Sequence, residues 1–290
     1  MARAMSSPKI SGFSIEVPAK WVLSGEHSVL RGASAIAFPY PQLSLKLMFR
    51  EHDTLSVTAN PFHSQIRQLV GRSCEFLKKD ARLFSTGEID IQSQIPIGAG
   101  LGSSAALSVA MARLAIWKTG ANLDEWIPLA THLEDVFHGK SSGMDVSVIA
   151  HSQPILFSME NHAQVLGELK RLPKFELYDS GKRGQTKLCI ERVNQWRLAN
   201  PESSKRLDYQ MAQATGEAFL ALKGFEHDAK TSEQALARAM QNAQACFEEW
   251  GLVSQELLDQ KQELLKQGAL AVKLTGAGLG GFWIALYSSQ

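Results

Sequence analysis

The segment at residues 96–106, PIGAGLGSSAA, has the composition of a phosphate-binding loop. Its three spaced glycines can adopt positive φ angles and let the backbone approach a ligand closely. It follows an alternating apolar stretch and opens a helical pattern, so several backbone N–H groups would meet at a helix N-terminus, which favours anions. Ser103 and Ser104 add hydroxyls that can bond a phosphate or reach a bound Mg²⁺. The segment therefore predicts a polyphosphate site, and its glycines are Gly98, Gly100 and Gly102.

This segment differs from the two commonest nucleotide-binding loops. No lysine follows the last glycine, as a Walker A loop requires. The spacing G-x-G-x-G also differs from the dinucleotide-binding pattern G-x-G-x-x-G. For the glycines alone, a tight strand-to-helix turn that binds nothing is the alternative, and the continuation SSAA favours the phosphate site over it.

Strands and helices must position this loop in the first half of the chain. Three stretches alternate apolar and polar residues, as half-buried strands do, and they predict a largely antiparallel or mixed sheet. They are residues 13–17, 43–49 and 89–95. Apolar residues recur at helical spacing after the loop, with Ser103 or Ser104 as the expected N-cap. A second helix is predicted over about 123–137, ending at Gly139.

The second half of the chain is mostly helical in pattern. Helices are predicted near residues 186–199, 205–223, 231–249 and 254–267, and strands at 174–179, 271–274 and 281–287. The segment TGAGLGG joins the last two strands. Strands and helices separated in this way predict an α+β fold in two domains, which we place at residues 1–165 and 166–290.

Composition bounds the classes of function. The 30 basic and 29 acidic residues nearly cancel, which argues against a general nucleic-acid binder. Three distant cysteines, Cys74, Cys189 and Cys246, predict reduced thiols rather than a disulfide framework or a zinc site. The chain lacks the run of about twenty apolar residues that spans a bilayer. The first dozen residues lack the apolar core of a secretory signal, so we expect a cytoplasmic location and no membrane partner.

With the motif LGSSAA in view, the chain resembles the GHMP kinases. Their central motif, P-x-G-x-G-L-G-S-S-A, is similar to residues 96–105. Residues 17–32, VPAKWVLSGEHSVLRG, are similar to the family's P-G-K…G-E-H…G segment, and residues 273–281, KLTGAGLGG, to its K-x-T-G-A-G-G-G-G loop. Because the three motifs occur in the family's order, the resemblance covers nearly the whole chain.

The resemblance implies a two-domain α+β architecture and ATP-dependent phosphoryl transfer to a small alcohol. The N-terminal, ATP-binding domain would be like ribosomal protein S5 domain 2, and the helical C-terminal domain would be ferredoxin-like. Phosphoryl transfer depends mainly on positioning and on neutralising charge around the γ-phosphate. The residues that would hold ATP are Pro96, Gly98, Ala99, Gly100, Leu101, Gly102, Ser103 and Ser104.

Further positions carry over residue by residue. Asp145 matches the carboxylate that accepts the proton of the substrate hydroxyl, and Lys20 matches the lysine that stabilises the developing charge beside it. Ser104 and Glu134 match the Mg²⁺ ligands, which are hard oxygen donors. Lys20 and Asp145 would also contact the substrate, together with Glu26, His27, Thr186, Gly276 and Ala277.

One more segment narrows the resemblance within the family. Residues 134–145, EDVFHGKSSGMD, are similar to the pattern E-x-x-x-H-G-x-P-S-G-x-D of the mevalonate kinases. That branch implies that ATP phosphorylates the primary hydroxyl of mevalonate to give 5-phosphomevalonate and ADP. Three residues depart from the family's pattern: Ala19 replaces a glycine, Ser141 a proline and Val146 an asparagine. The resemblance leaves a homodimer open.

Other functions remain compatible with the same residues. Another GHMP kinase could act on phosphomevalonate, a sugar or homoserine, and a phosphorylated acceptor would require further cations. The candidates for such cations are Lys182, Arg183 and Lys187. A nucleotide-binding regulator that has lost catalysis is a second alternative, and a phosphate-binding structural protein is a third. The joint presence of Lys20, Ser104, Glu134 and Asp145 argues against the regulator, and the structural protein predicts no phosphoryl transfer to any acceptor.

Overall fold

The structure is a computed structural model that describes residues 12–58, 63–139, 141–167, 169 and 171–289. The segment on which the expectation about a secretory signal depends, residues 1–11, lies outside the described residues, as does the start of the predicted first domain. No helix of the described ranges has the length and apolar character that a bilayer crossing requires.

The described part of the first half contains a mixed sheet of six strands. The strands are β1 (Gly12–Ser24), β2 (Ala35–Arg50), β3 (Leu55–Thr58), β4 (Gly87–Ser93), β5 (Ile155–Ser158) and β6 (His162–Val165). Their order is β3-β4-β2-β5-β6, and β1 pairs with β2. Strands β3 and β4 are parallel, whereas the other pairs are antiparallel. The prediction of an antiparallel or mixed sheet is therefore confirmed.

Four α-helices accompany this sheet in the described ranges. They are α1 (His63–Phe76), α2 (Ser103–Thr119), α3 (Trp126–His138) and α4 (Met144–His151). Helices α2 and α4 both contact β1 and β2, and α3 contacts α2. Most of α2 is buried, which suits its apolar composition on all sides, because a helix without a polar face belongs in a core. The phosphate-loop segment therefore leads into the central helix of this half.

A break in the pairing of β1 with β2 directs the chain toward that helix. The register shifts between Pro18 and Ala19. Proline has no N–H to donate to a sheet and is therefore found at edges and bulges. Beyond the shift, the Lys20 backbone N–H donates to the Leu101 carbonyl at 3.0 Å. The strand that carries the predicted catalytic lysine is thus bonded directly to the glycine-rich segment.

The second half contains a smaller sheet and four long helices. The strands β7 (Lys174–Asp179), β8 (Ala271–Leu274) and β9 (Phe282–Tyr287) form an antiparallel sheet in the order β7-β9-β8. The helices are α5 (Thr186–Ala199), α6 (Pro201–Gly224), α7 (Ala229–Glu249) and α8 (Gln255–Lys266). The seven elements predicted for this half are all confirmed, with ends that differ by at most a few residues.

Several local predictions for the first half need correction. Helix α2 begins at Ser103 and its N-cap is Gly102, with φ 76°, so neither Ser103 nor Ser104 is the cap. Helix α1 was not predicted, although Ile66, Leu69, Val70 and Cys74 recur at helical spacing and form its buried face. Helix α4 was not predicted either, since it has only 8 residues and follows a turn-like segment.

The two halves share an apolar core. Residues of α6 and α7, among them Leu222 and Met240, belong to the same buried cluster as the first sheet and α2. A second cluster, which includes Phe247, Trp250 and Trp283, lies beneath the smaller sheet. The three cysteines are free and buried, as expected of reduced thiols.

Candidate active site

A cleft of about 540 Å³ lies between the two halves and collects the predicted site residues. Those from the first half are Lys20, Glu26, His27, Pro96, Gly98, Ala99, Gly100, Leu101, Gly102, Ser103, Ser104, Glu134 and Asp145. Those from the second half are Thr186, Gly276 and Ala277. Every residue that the family resemblance assigned a binding or catalytic role therefore lines one cavity. The individual roles remain predictions.

Lys20 and Asp145 form an ion pair in this cleft. The Lys20 Nζ lies 2.7 Å from Asp145 Oδ2, and the two side chains are 4% and 22% exposed. Lys20 lies on β1, and Asp145 lies in the first turn of α4. The Lys20 Nζ also donates to the Gly100 carbonyl at 3.3 Å. The pair is thus fixed against the glycine-rich segment, and its carboxylate is accessible from the cleft.

Two glycine-rich segments pack against each other with no room for side chains. A Cβ on Gly100 would lie 2.5 Å from the Thr275 carbonyl oxygen, and one on Gly276 would lie 2.6 Å from the Gly100 Cα. A Cβ on Gly102 would lie 2.8 Å from both Cγ and Cε of Lys20. Gly100, Gly102 and Gly276 also have positive φ. Both the lack of space for a Cβ and the left-handed backbone therefore require glycine at these positions. The backbone N–H groups near the start of α2 thus lie beside the lysine.

The two serines at the start of α2 both line the cleft. The hydroxyl of Ser103 is buried and has no hydrogen-bond partner among the described residues. A buried polar atom without a partner is costly, so it indicates that a ligand or water completes the site. Together with the unpaired donors of a helix N-terminus, this hydroxyl suits an anion such as a phosphate.

Glu134 lies near the end of α3 and is almost fully buried. It accepts a hydrogen bond from the Ser141 hydroxyl at 2.5 Å. Burial, followed by the nearby Asp145 carboxylate, raises the pKa of Glu134 to about 8. Glu134 and Asp145 lie at the same cavity wall, and the negative charge of each disfavours that of the other. A cation bound near them would relieve this repulsion.

A second ion pair lies in the wall of the cleft, and the sequence analysis did not identify it. The Lys273 Nζ donates to Glu26 Oε1 at 2.6 Å, and their side chains are 0% and 5% exposed. Burial raises the pKa of Glu26 and lowers the pKa of Lys273, since it disfavours both charges. The motif at 273–281 contained this lysine, but nothing in the sequence indicated its partner.

His27 is held between the two halves of the chain. Its Nε2 is 2.9 Å from the Ala277 carbonyl oxygen, and its ring lies edge-on to Phe247 and Trp250. Burial lowers the pKa of His27 to about 4. The imidazole is therefore neutral near pH 7, and its contact with Ala277 indicates that Nε2 carries the proton.

Of the three cations considered for a phosphorylated acceptor, one lies at the cleft. Lys187 lines it, beside Thr186. Lys182 pairs with Glu256 at 2.8 Å, and Arg183 pairs with Asp179 at 2.6 Å, both outside the lining. Apolar side chains that the sequence analysis did not single out also contribute to the walls. They are Val22, Val29, Leu30, Ile97, Phe137, Met144 and Ile190.

Family models agree with this geometry. The model of the GHMP kinases N-terminal domain matches residues 68–153, and that of the GHMP kinases C-terminal domain matches residues 221–290. The first match contains the glycine-rich segment, α3 and Asp145, and the second contains the loop that packs against it. The matched regions therefore hold both sides of the cleft.

Individual relatives extend the agreement to nearly the whole chain. The mevalonate kinase of Thermococcus sibiricus is 27% identical over 299 residues, covering 93% of this chain and 87% of that relative. The crystal structure of L. major mevalonate kinase in complex with R-mevalonate superposes with a TM-score of 0.78 at 22% identity, covering 99% of this chain and 91% of that one.

Kinases that act on other substrates share this fold. A Streptococcus pneumoniae phosphomevalonate kinase in complex with phosphomevalonate and AMPPNP has a TM-score of 0.75 at 15% identity, covering 96% of this chain and 93% of that one. Structural similarity at this level of identity shows the architecture. The acceptor has to be inferred from the residues of the site. The chain belongs to the GHMP kinase family, with its two-domain fold, and is an ATP-dependent small-molecule kinase.

Proposed function

We propose that this kinase transfers the γ-phosphoryl group of ATP to the primary hydroxyl of mevalonate, giving 5-phosphomevalonate and ADP. The observation that carries the proposal is the Lys20–Asp145 pair, 2.7 Å apart beside the glycine-rich segment. Its position supports a hydroxyl held next to Asp145 and a terminal phosphate held next to Lys20. The mevalonate kinases among the relatives support mevalonate as the acceptor that carries this hydroxyl.

The charges of the cleft support an acceptor without a phosphate group. Among the described residues that line it, the basic side chains other than His27 are Lys20 and Lys187. Lys20 is already paired with Asp145. One remaining lysine suits the single carboxylate of mevalonate, whereas a phosphorylated acceptor would add about two negative charges, as a phosphoryl group does on a side chain. Glu26 and His27, on the wall beside Ala277, would contact the polar groups of the acceptor.

The residues present also fit a nucleotide-bound Mg²⁺. No group of three or more histidine, cysteine or acidic side chains that could hold a metal by itself occurs among the described residues. Mg²⁺ in kinases commonly takes one or two protein oxygens and completes its shell with phosphates and water. The Ser104 hydroxyl and the Glu134 carboxylate would supply such oxygens. When bound, the ion would neutralise part of the phosphate charge during transfer.

The chain's own residues would perform the remaining steps. Backbone N–H groups at the start of α2, with the Ser103 hydroxyl, would hold the phosphates. Asp145 would orient the acceptor hydroxyl and take up its proton. Lys20 would stabilise negative charge on the attacking oxygen and on the phosphoryl group, because its ammonium is held beside Asp145 in a buried position.

A coupled assay of ADP release with four acceptors tests the proposal. Mevalonate, 5-phosphomevalonate, galactose and homoserine would be compared at equal concentrations with ATP and Mg²⁺. We expect turnover with mevalonate to exceed turnover with each other acceptor by at least about a hundredfold, since a missing partner for a site's polar groups costs that much or more. Turnover with another acceptor alone would overturn the choice of substrate and leave the family assignment in place.

Three further expectations stay predictions. We place the division of the chain into domains at residues 1–165 and 166–290, which is supported by the end of β6 at Val165 and the start of β7 at Lys174. A homodimer and a cytoplasmic location are the other two. Size-exclusion chromatography with light scattering and cell fractionation would test them.

A further inference from the structure

Ser141 makes three hydrogen bonds in the connection between α3 and α4. Its hydroxyl donates to Glu134 Oε2 at 2.5 Å and accepts from the Gly143 N–H at 3.0 Å. Its own backbone N–H donates to Asp135 Oδ1 at 2.7 Å. A serine hydroxyl has one proton, so the donor is committed to Glu134. The proline that is common at this position in the GHMP kinases could make none of these bonds.

These bonds join the two helices that carry the carboxylates of the cleft. Glu134 lies on α3, whereas Gly143 is the N-cap of α4, with φ 81°. Asp145 follows in the first turn of α4. Because one hydroxyl contacts both the Glu134 side chain and the Gly143 backbone, it fixes Glu134 relative to the start of the helix that presents Asp145.

We propose that Ser141 is a positioning residue that orients Glu134 for the metal ion of the bound nucleotide. The inference rests on the proposed function, since it takes Glu134 as a metal ligand. Hydrogen bonds to ligating carboxylates hold these groups in the geometry the metal requires, and their loss commonly costs 10–100-fold in metal affinity. In this chain, Ser141 bonds Glu134 through its hydroxyl and Asp135 through its N–H, and a proline at this position could form neither bond.

Titration of the full chain with Mn²⁺ in the presence of ADP, followed by electron paramagnetic resonance, tests the inference without any acceptor. Ser141→Ala should weaken Mn²⁺ binding roughly tenfold. Ser141→Thr keeps the hydroxyl and should bind within about threefold of wild type, which corresponds to less than about 0.7 kcal/mol. The matched control is Ser152→Ala, at the other end of α4, because its hydroxyl donates only to the Ile149 carbonyl of its own helix. It should leave Mn²⁺ binding unchanged.

A second measurement separates positioning from general damage. Calorimetry with ADP and no metal should give the same affinity for Ser141→Ala and wild type. Ser141→Gly carries the same expectations and replaces Ser141→Ala if the latter does not fold. The inference would be overturned if Ser141→Ala bound Mn²⁺ as tightly as wild type. It would also be overturned if Ser141→Thr lost as much Mn²⁺ affinity as Ser141→Ala, or if Ser141→Ala lost metal-free ADP binding to the same extent as Mn²⁺ binding. A wild type that binds no Mn²⁺ with ADP would overturn the proposed function as well.

Discussion

Asp145 differs in its access to solvent from Glu26, the carboxylate of the other buried lysine–carboxylate pair, which Lys273 completes. The Asp145 side chain is 22% exposed, whereas Glu26 is 5% exposed and Lys273 is enclosed. A carboxylate must reach the proton that it takes up, so accessibility suits Asp145 to chemistry. Glu26 presents its charge from a fixed position in the wall.

Asp145→Asn should lower kcat by about 10²–10⁴-fold, because the amide cannot take up the hydroxyl proton. ATP affinity should change little, since on the proposed function the glycine-rich segment would hold the phosphates. The measurement is the ADP-release assay with mevalonate, together with calorimetry for ATP. Asp259→Asn, on exposed α8 surface, is the matched control and should retain full turnover. Undiminished kcat in Asp145→Asn would remove that residue from the mechanism.

His27 predicts a pH dependence of stability. Its pKa is about 4 in the folded chain and 6.5 as the reference value, so the unfolded chain binds a proton between these pH values that the folded chain does not. The contribution of His27 is therefore present above pH 6.5 and is lost as pH falls toward 4. By the 1.4 kcal/mol per pKa unit of linkage, the loss amounts to about 3 kcal/mol.

The raised pKa values of Glu26 and Glu134 give stability changes of the opposite sign, so the comparison must be made between variants. Urea unfolding of wild type and His27→Gln at pH 7 and pH 5 should show a smaller loss of unfolding free energy on acidification in the variant. His151→Gln, an exposed histidine on α4, should behave like wild type. Equal pH dependence in His27→Gln and wild type would contradict the account.

At the scale of elements, the site depends on loops that pack backbone against backbone. The Gly184 N–H donates to the Gly98 carbonyl at 3.2 Å, and the Val22 N–H donates to the Thr275 hydroxyl at 2.7 Å. These bonds hold the segments before α2, before α5 and after β8 at fixed separations. The cleft is therefore shaped by connections between elements, which the ends of strands and helices bring together.

Gly102→Ala and Gly120→Ala separate backbone strain from steric contact. Both glycines have positive φ, so each substitution should lower the free energy of unfolding of the protein by about 1 kcal/mol. A Cβ on Gly102 meets Lys20, whereas one on Gly120 has nothing within 4 Å. Only Gly102→Ala should therefore lose turnover, by tenfold or more, because a small displacement of a catalytic group is costly. Urea unfolding and the ADP-release assay measure the two effects.

An equal change of turnover in both variants would contradict this separation. If Gly120→Ala lost turnover as Gly102→Ala does, strain at a helix end would explain both. If Gly102→Ala kept turnover, the close contact with Lys20 would have no part in positioning it.

Local patterns explain how much of this could be predicted from the sequence. Alternating and helical spacing predicted the strands around residues 43–49 and 89–95 and the helices of the second half, since those patterns lie within one element. The motifs predicted which residues line the cleft. Contacts between distant segments, such as Lys273 with Glu26, have no local signal. Ser141 was recognised only as a departure from the family pattern, and its bond to Glu134 required the structure.

At the scale of the whole molecule, the cleft exists only where the two halves meet. Lys273 on β8 pairs with Glu26, which follows β1, and the Ser24 hydroxyl lies 2.8 Å from that of Thr215 on α6. Arg31 bonds to both carboxylate oxygens of Asp208, also on α6. Polar contacts at the interface thus hold Glu26 and His27 beside the loop that contains Ala277, and the site depends on the association of both halves.

Lys273→Met should lower the free energy of unfolding by about 3 kcal/mol or more, because it leaves Glu26 buried without its partner. The matched control is Lys261→Met, which breaks the partly exposed pair with Glu248 and should cost about 1 kcal/mol or less. Urea denaturation followed by tryptophan fluorescence measures both. Equal losses in the two variants would show that the buried pair does not contribute to joining the halves.

The most direct test of the central claim is ³¹P NMR of the chain with ATP, Mg²⁺ and mevalonate, run for wild type and Asp145→Asn. Wild type should convert the γ-phosphate resonance into that of a phosphomonoester on the primary carbon of mevalonate, at a rate that Asp145→Asn reduces at least about a hundredfold. Release of the γ-phosphate only as inorganic phosphate, or an equal rate of ester formation in Asp145→Asn, would contradict the account.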